Sequence, residues 1–307
     1  MTSVLRLFSG KWGRRIVIGT PYLWLGVFFL LPFLMTLKIA FSTSIVGIPP
    51  IGPISTITDD GALQITLHLE NWSYLFQDPM YVLAYGRSLL TALITTVLCL
   101  FIGYPMAYRI ARATPGARPL LLMLVIMPFW TSFLIRVYAW MGILKDNGLL
   151  NNLLLTLGVI HQPLILMNTQ IAVYIVMAYA YLPFMLLPLY TTLEKMDLSL
   201  LEAAQDLGGR PFISFLLVTL PLSLPGIIAG SLLVFIPAVG EFLIPTLVGS
   251  PGHQLIASVI FDEFFSNRDW PTASAVATAV VLFLLLPIIL LVWLRNRNDS
   301  KLLATGQ

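Results

Sequence analysis

Charge is scarce in this chain. Asp, Glu, Lys and Arg make up 10% of its 307 residues and apolar types 58%, against about 25% charged in an ordinary soluble domain. With a mean hydropathy of +0.90, that shortage excludes a water-soluble fold and points to a polytopic membrane protein. Cysteine is almost missing: Cys99 stands alone in an apolar run, so disulfides and cysteine metal sites are excluded. His68, His161 and His253 are scattered over loops, and no HExxH, GxSxG or paired-cysteine pattern occurs. A P-loop is absent too, because Gly10-Lys11 is followed by Trp12 and has no Gly five positions earlier. Without that phosphate-cradling loop the chain does not bind ATP by that route, and energy for any work must come from a partner. No enzymatic reading, metal or cofactor follows. No repeat of about 20–50 residues is visible, nor any interdomain linker, and residues 1–307 read as a single domain.

What is present is apolar length. Six segments reach the roughly 20 residues that a bilayer requires: approximately Ile16–Ala40, Leu89–Ala111, Leu120–Leu144, Ile171–Leu193, Leu222–Val248 and Thr272–Leu294. Backbone polar groups must be paired in hydrocarbon, so these unbroken runs are expected to be helices and the fold all-α. The first run follows Lys11, Arg14 and Arg15 like a signal peptide, but it is too long and lacks a small-residue cleavage site. It reads as a retained helix.

Lysine and arginine placement sets the expected orientation. Arg6, Lys11, Arg14, Arg15, Arg109, Arg112, Arg118, Lys195, Arg210, Arg295, Arg297 and Lys301 fall on one side, with both termini, and Lys38, Arg87, Lys145 and Arg268 on the other. Both termini are therefore expected in the cytoplasm. The opposite face holds Asp59, Asp60, Glu70, Asp78, Asp146, Asp262, Glu263 and Asp269. That surface would attract cations, or acids merely collect where basic residues are kept out. The long loop over residues 41–86 opens with the turn-rich GIPPIGP (47–53) and predicts a short strand and an interfacial helix near Trp72–Phe76. Residues 3–15 mix Leu, Phe and Trp with basic side chains and are expected on the inner surface.

The polar stretch EAAQDLGGRPFISFLLVTLP (202–221) lies between two spans. Ser199 and Glu202 have capping-box spacing, Ala203 and Ala204 keep a helix narrow, and Gly208–Gly209 allow it to end. Pro211 suits the start of a second helix, expected over Phe212–Leu220 and parallel to the bilayer, with Pro221 marking re-entry. Glu202-Ala203-Ala204, then Gly208, then Val218-x-Leu220-Pro221 resembles the EAA signature of permease subunits in bacterial binding-protein-dependent ABC importers. The usual Ile is Val218 here. The resemblance implies a coupling helix that docks on a cytoplasmic ATPase through Glu202, Ala203, Ala204 and Gly208. A further likeness runs from about Pro21 to Leu294. PFWTSFLIRVYAWMGILKDNGLLNN (128–152), LVFIPAVGEFLIP (233–245) and EFFSNRDWPTASA (263–275) resemble membrane subunits of spermidine/putrescine importers, above all the putrescine type.

The resemblance implies these partners: a second related permease, two cytoplasmic ATPase subunits, a periplasmic polyamine-binding protein and a polyamine substrate. It implies no nucleic acid, and an inner-membrane location. Charged residues inside spans cost about 3 kcal/mol at the midplane, so Arg136 and Glu241 stand out. Pro237, Gly240 and Pro245 loosen the backbone around Glu241, and transporters place substrate contacts at such broken helices. Glu241 is the leading substrate-path candidate; the other readings pair it with Arg136, a structural ion-pair candidate, or leave it protonated. Of Trp130, Tyr138, Trp140, Tyr174, Tyr179 and Tyr181, the lining candidates are Tyr138 and Tyr179, whose faces attract ammonium groups, although helix packing also uses such rings. Asp262, Glu263 and Asp269 are candidates for docking the binding protein, or else a solvated loop capped by Asp269. The rivals are a permease for another small solute, an ion-driven secondary transporter and a non-transport anchor.

Overall fold

The computed structural model describes residues 11–57 and 63–285. The amphipathic segment expected over residues 3–15 therefore lies mostly outside the described residues. Among the described residues the architecture is all-α but for one small hairpin, and four helices are long and apolar enough to cross a membrane: Arg14–Ala40, Pro79–Ala111, Gln170–Glu194 and Pro211–Val239. A bent pair, Ala117–Trp130 and Phe133–Thr156, makes a fifth when taken as one span, and Trp270–Leu285 is a shorter apolar helix. The rest of the sixth expected span lies outside the described residues.

The chain divides into two compact units, Val82–Ser258 and Met1–Tyr81 with Val259–Gln307. In the first, Gln170–Glu194 and Leu220–Val239 pack along one another. Two glycines four residues apart permit that approach. A Cβ on Gly226 would lie 2.6 Å from Thr192 Oγ1, and one on Gly230 would lie 2.9 Å from the Met185 carbonyl oxygen. This is the small-residue spacing that lets helices meet closely in lipid, where apolar side chains alone give little drive to associate. On Gln170–Glu194, Met177, Met185, Leu186, Leu189 and Leu193 are fully buried.

In the second unit, the Arg14–Ala40 helix buries almost none of its surface. Ser55–Ile57 pairs antiparallel with Leu63–Ile65, Thr56 opposite Gln64, and the helix Glu70–Gln77 follows. A strand and a helix over Trp72–Phe76 are thus present, as expected. Asn71 ties that helix back to the end of the first span by donating to the carbonyls of Ala40 and Ser42 at 3.1 and 2.8 Å.

Three expected helices are corrected. Leu120–Leu144 is not one rod: the chain turns by 93° between Trp130 and Phe133. Pro128 cannot continue the ladder, and its carbonyl takes both the backbone N–H and the hydroxyl of Thr131, at 3.3 and 2.7 Å. Thr131 is then extended. Leu222–Val248 is also interrupted, because the helix stops at Val239 and restarts over Leu243–Val248. Finally, no separate second helix lies between Pro211 and Pro221. Pro211–Ser214 runs through a π turn at Phe215–Thr219 into Leu220–Val239. The widened turn shifts the hydrogen-bond register, and Pro221, which has no N–H to give, continues the helix instead of ending it.

Candidate functional site

The polar hairpin is built by its glycines. Ser199–Asp206 is helical, and Gly208 then adopts φ +85°, a backbone region that is costly for residues with a Cβ. The Gly208 and Gly209 amides donate to the carbonyls of Gln205 and Ala204 at 2.8 and 2.9 Å, closing the helix C-terminus. A Cβ on Gly209 would meet the Ala204 oxygen at 2.5 Å and Ser214 Oγ at 2.8 Å. The helix start differs from the expected capping box: Ser199 is its first residue, and no side chain of the preceding residue caps it. Asp197 takes the Ser199 amide instead, at 3.0 Å. Hydrogen bonds from Ser199 hold the Asp197 carboxyl below its ordinary range, since a carboxylate that accepts donors is favoured as the anion.

The hairpin presents Glu202, Ala203 and Gly208 to solvent, with Ala204 half-buried. Around them stand uncovered apolar side chains. Leu207 is 90% exposed and Phe212 70%. Exposed apolar side chains grouped in this way mark surfaces that meet another protein or the membrane.

Glu241 occupies the break between Val239 and Leu243 and is 8% exposed. One carboxylate oxygen accepts the amides of Leu243 and Ile244 at 2.9 and 3.2 Å, and the other accepts the Tyr181 hydroxyl. Glu241 therefore supplies the acceptor for donors that the restarted helix leaves free. Arg136 is not its partner. The guanidinium of Arg136 lies over the rings of Phe129 and Phe133, 4.5 and 5.5 Å from their centroids, and its Nε and Nη1 are buried without a hydrogen-bond partner. Arg118 does form an ion pair, with Glu194 at 3.2 Å. Tyr181, which the sequence showed only as one aromatic among several, is the residue that engages Glu241.

Tyr138 is exposed. Tyr179 packs edge-on against Trp140, 5.3 Å between centroids, and lines a cavity of about 460 Å³ with Met106, Arg109, Phe129 and Pro183. The two tyrosines are not brought together with Glu241 by any described contact. In the other unit, Glu263 is 8% exposed and accepts Tyr81 Oη–H at 2.8 Å and Asn267 Nδ2–H at 2.9 Å. Asp269 receives the amide and hydroxyl of Thr272 at 3.1 and 2.9 Å, capping the Trp270–Leu285 helix. Asp262 is partly exposed beside them. Glu263 and Asp269 share a polar cavity of about 690 Å³ with Glu70, Tyr74 and Tyr81. The nearby charge of Asp78, reinforced by burial, raises the Tyr74 phenol.

Comparison with known proteins agrees with this architecture. The chain is 40% identical over 286 residues to the spermidine/putrescine transport system permease protein PotB of Haemophilus influenzae, covering 92% of this chain and 94% of that protein. It is 42% identical over 279 residues to PotB of Escherichia coli K12, covering 91% and 96%. A chain from the crystal structure of a bacterial ABC transporter that imports the acidic polysaccharide alginate superimposes with a TM-score of 0.65 at 16% identity, over 96% of this chain and 99% of that one, which shows a common fold. Residues 81–303 match the sequence profile of the binding-protein-dependent transport system inner membrane component, and with the long apolar helices and the exposed hairpin the chain belongs to that family.

Proposed function

We propose that this protein is a permease subunit of an ATP-driven polyamine importer of the inner membrane. It forms half of a translocation pathway with a second, related permease. A periplasmic polyamine-binding protein delivers the substrate, and two cytoplasmic ATPase subunits supply the energy. Both termini, and the hairpin over residues 199–221, face the cytoplasm. Substrate class rests on the 40–42% identity to spermidine/putrescine permeases. The observation that carries the coupling role is the glycine-closed hairpin with Leu207 and Phe212 uncovered beside Glu202, Ala203, Ala204 and Gly208. Nucleotide-driven closure of the ATPases draws such hairpins together and turns the cavity between the permeases outward; hydrolysis resets it.

Glu241 acts on the pathway through the helix break that it holds open, with Tyr138 and Tyr179 as weak ammonium contacts. Asp262, Glu263 and Asp269 belong to the face on which the binding protein docks, Glu263 and Asp269 shaping it from within. The experiment is reconstitution of the chain with its neighbouring permease, ATPase and binding protein in vesicles. Uptake of labelled putrescine or spermidine that requires ATP is expected. Ala203→Arg on the hairpin should remove the ATPase from the purified assembly and abolish uptake. Uptake driven by an ion gradient without ATP, or an ATPase that stays bound to the Ala203→Arg assembly, would refute the proposal.

A further inference from the structure

The hairpin is joined covalently to the helix that follows it, so any push on the hairpin reaches Pro211–Val239 directly. The helix Pro79–Ala111 has no such connection, and it moves with the hairpin only if side chains link them. One contact set does so. Phe215 begins the π turn immediately after the hairpin, and that turn packs against the Ser199–Asp206 helix. The Phe215 ring stands edge-on to Tyr104 and Tyr108, 5.6 and 6.0 Å between centroids at 90° and 87°. The two tyrosines lie one helical turn apart on Pro79–Ala111 and so share a face. Arg112, a further turn along, sits 5.3 Å over the Tyr108 ring and fixes its outer side.

A second tie closes the linkage. Tyr104 Oη and Ser223 Oγ are 2.9 Å apart and buried. At the hairpin end the fit is tight as well, since a Cβ on Gly209 would be 2.8 Å from Ser214 Oγ. Phe215 thus joins the turn beside the hairpin to the Tyr104 and Tyr108 rings, and packed side chains pass displacement between elements because they compress little.

Resting on the coupling reading above, we propose that Phe215 is a positioning residue, the pin of an aromatic clamp through which hairpin movement is passed to the Pro79–Ala111 helix. The quantity that tests the clamp is energetic coupling between the two elements. The measurement is substrate taken up per ATP hydrolysed in vesicles holding the complete assembly. Phe215→Ala is expected to keep the ATPase bound and hydrolysing while uptake per ATP falls by about fivefold or more. Phe215→Tyr keeps the ring and should keep the ratio. Tyr108→Leu should lower the ratio as Phe215→Ala does, with the double variant no worse than either single one. An unchanged ratio in Phe215→Ala, a parallel loss of uptake and hydrolysis, or independent additive losses in the double variant would overturn the clamp. Absence of the ATPase from the unmutated assembly would overturn the coupling reading and the clamp together.

Discussion

At the scale of single residues, buried acceptors decide local shape. Removing the Glu241 carboxylate strands the Tyr181 hydroxyl and the amides of Leu243 and Ile244, and each unsatisfied buried group costs about 1–3 kcal/mol. Glu241→Ala should therefore lower the melting temperature of the purified assembly. Glu241→Gln, which retains one acceptor oxygen, should lower it less; equal melting of the two variants would show that the bonds do not hold the break. If the residue acts on the pathway, uptake by Glu241→Gln at limiting substrate should fall with the assembly intact. Asp197 makes a different prediction. Its pKa is depressed from 3.8 by hydrogen bonds from Ser199, so the cap is fully present above that value and is lost as pH falls through the lower folded value. The midpoint of the Asp197 carboxyl in an NMR titration should lie below 3.8, and Ser199→Pro, which deletes the amide donor, should return it upward.

At the scale of elements, the Gln170–Glu194 and Leu220–Val239 pair depends on two missing side chains. A Cβ at Gly230 would press on the Met185 backbone oxygen at 2.9 Å, whereas one at Gly86 meets nothing within 4 Å. Overpacking typically costs about 1–3 kcal/mol, so Gly230→Ala should destabilise the protein while Gly86→Ala should not. Equal melting of the two would show that the seam is looser than described. The spacing Gly226-x-x-x-Gly230 was legible in the chain, yet only the partner helix shows why it matters. The breaks were less legible. Pro237, Gly240 and Pro245 marked one of them, but Pro128 and Thr131 hid the other inside an apolar run. Hydropathy measures burial in lipid and is insensitive to a turn whose side chains stay apolar. Pro221 misled in the opposite direction, because a π turn absorbs a missing donor that an α-helix would lose.

For the whole molecule, the orientation proposal can be checked with the chain's own economy of thiols. Cys99 is buried, so a single introduced cysteine reports cleanly. Val46→Cys and Leu207→Cys replace fully exposed side chains (109% and 90%). In sealed vesicles an impermeant maleimide should reach the first from the periplasmic side and the second from the cytoplasmic side. Labelling of both from one side would contradict the arrangement of spans.

Composition, apolar length and turn residues by themselves determined that this is a helical membrane protein, that its sequence contains no P-loop motif, and where its polar hairpin falls. These are properties of local sequence, since the cost of leaving backbone groups unpaired in lipid allows one answer per long apolar run. The tertiary structure decided the rest. Tyr181, not Arg136, faces Glu241; Glu263 turns inward to Tyr81; and Phe215 sits between Tyr104 and Tyr108. Each of these pairs residues distant along the chain, and which side chains meet across helices is set by packing angles and close approach that no single stretch of sequence contains.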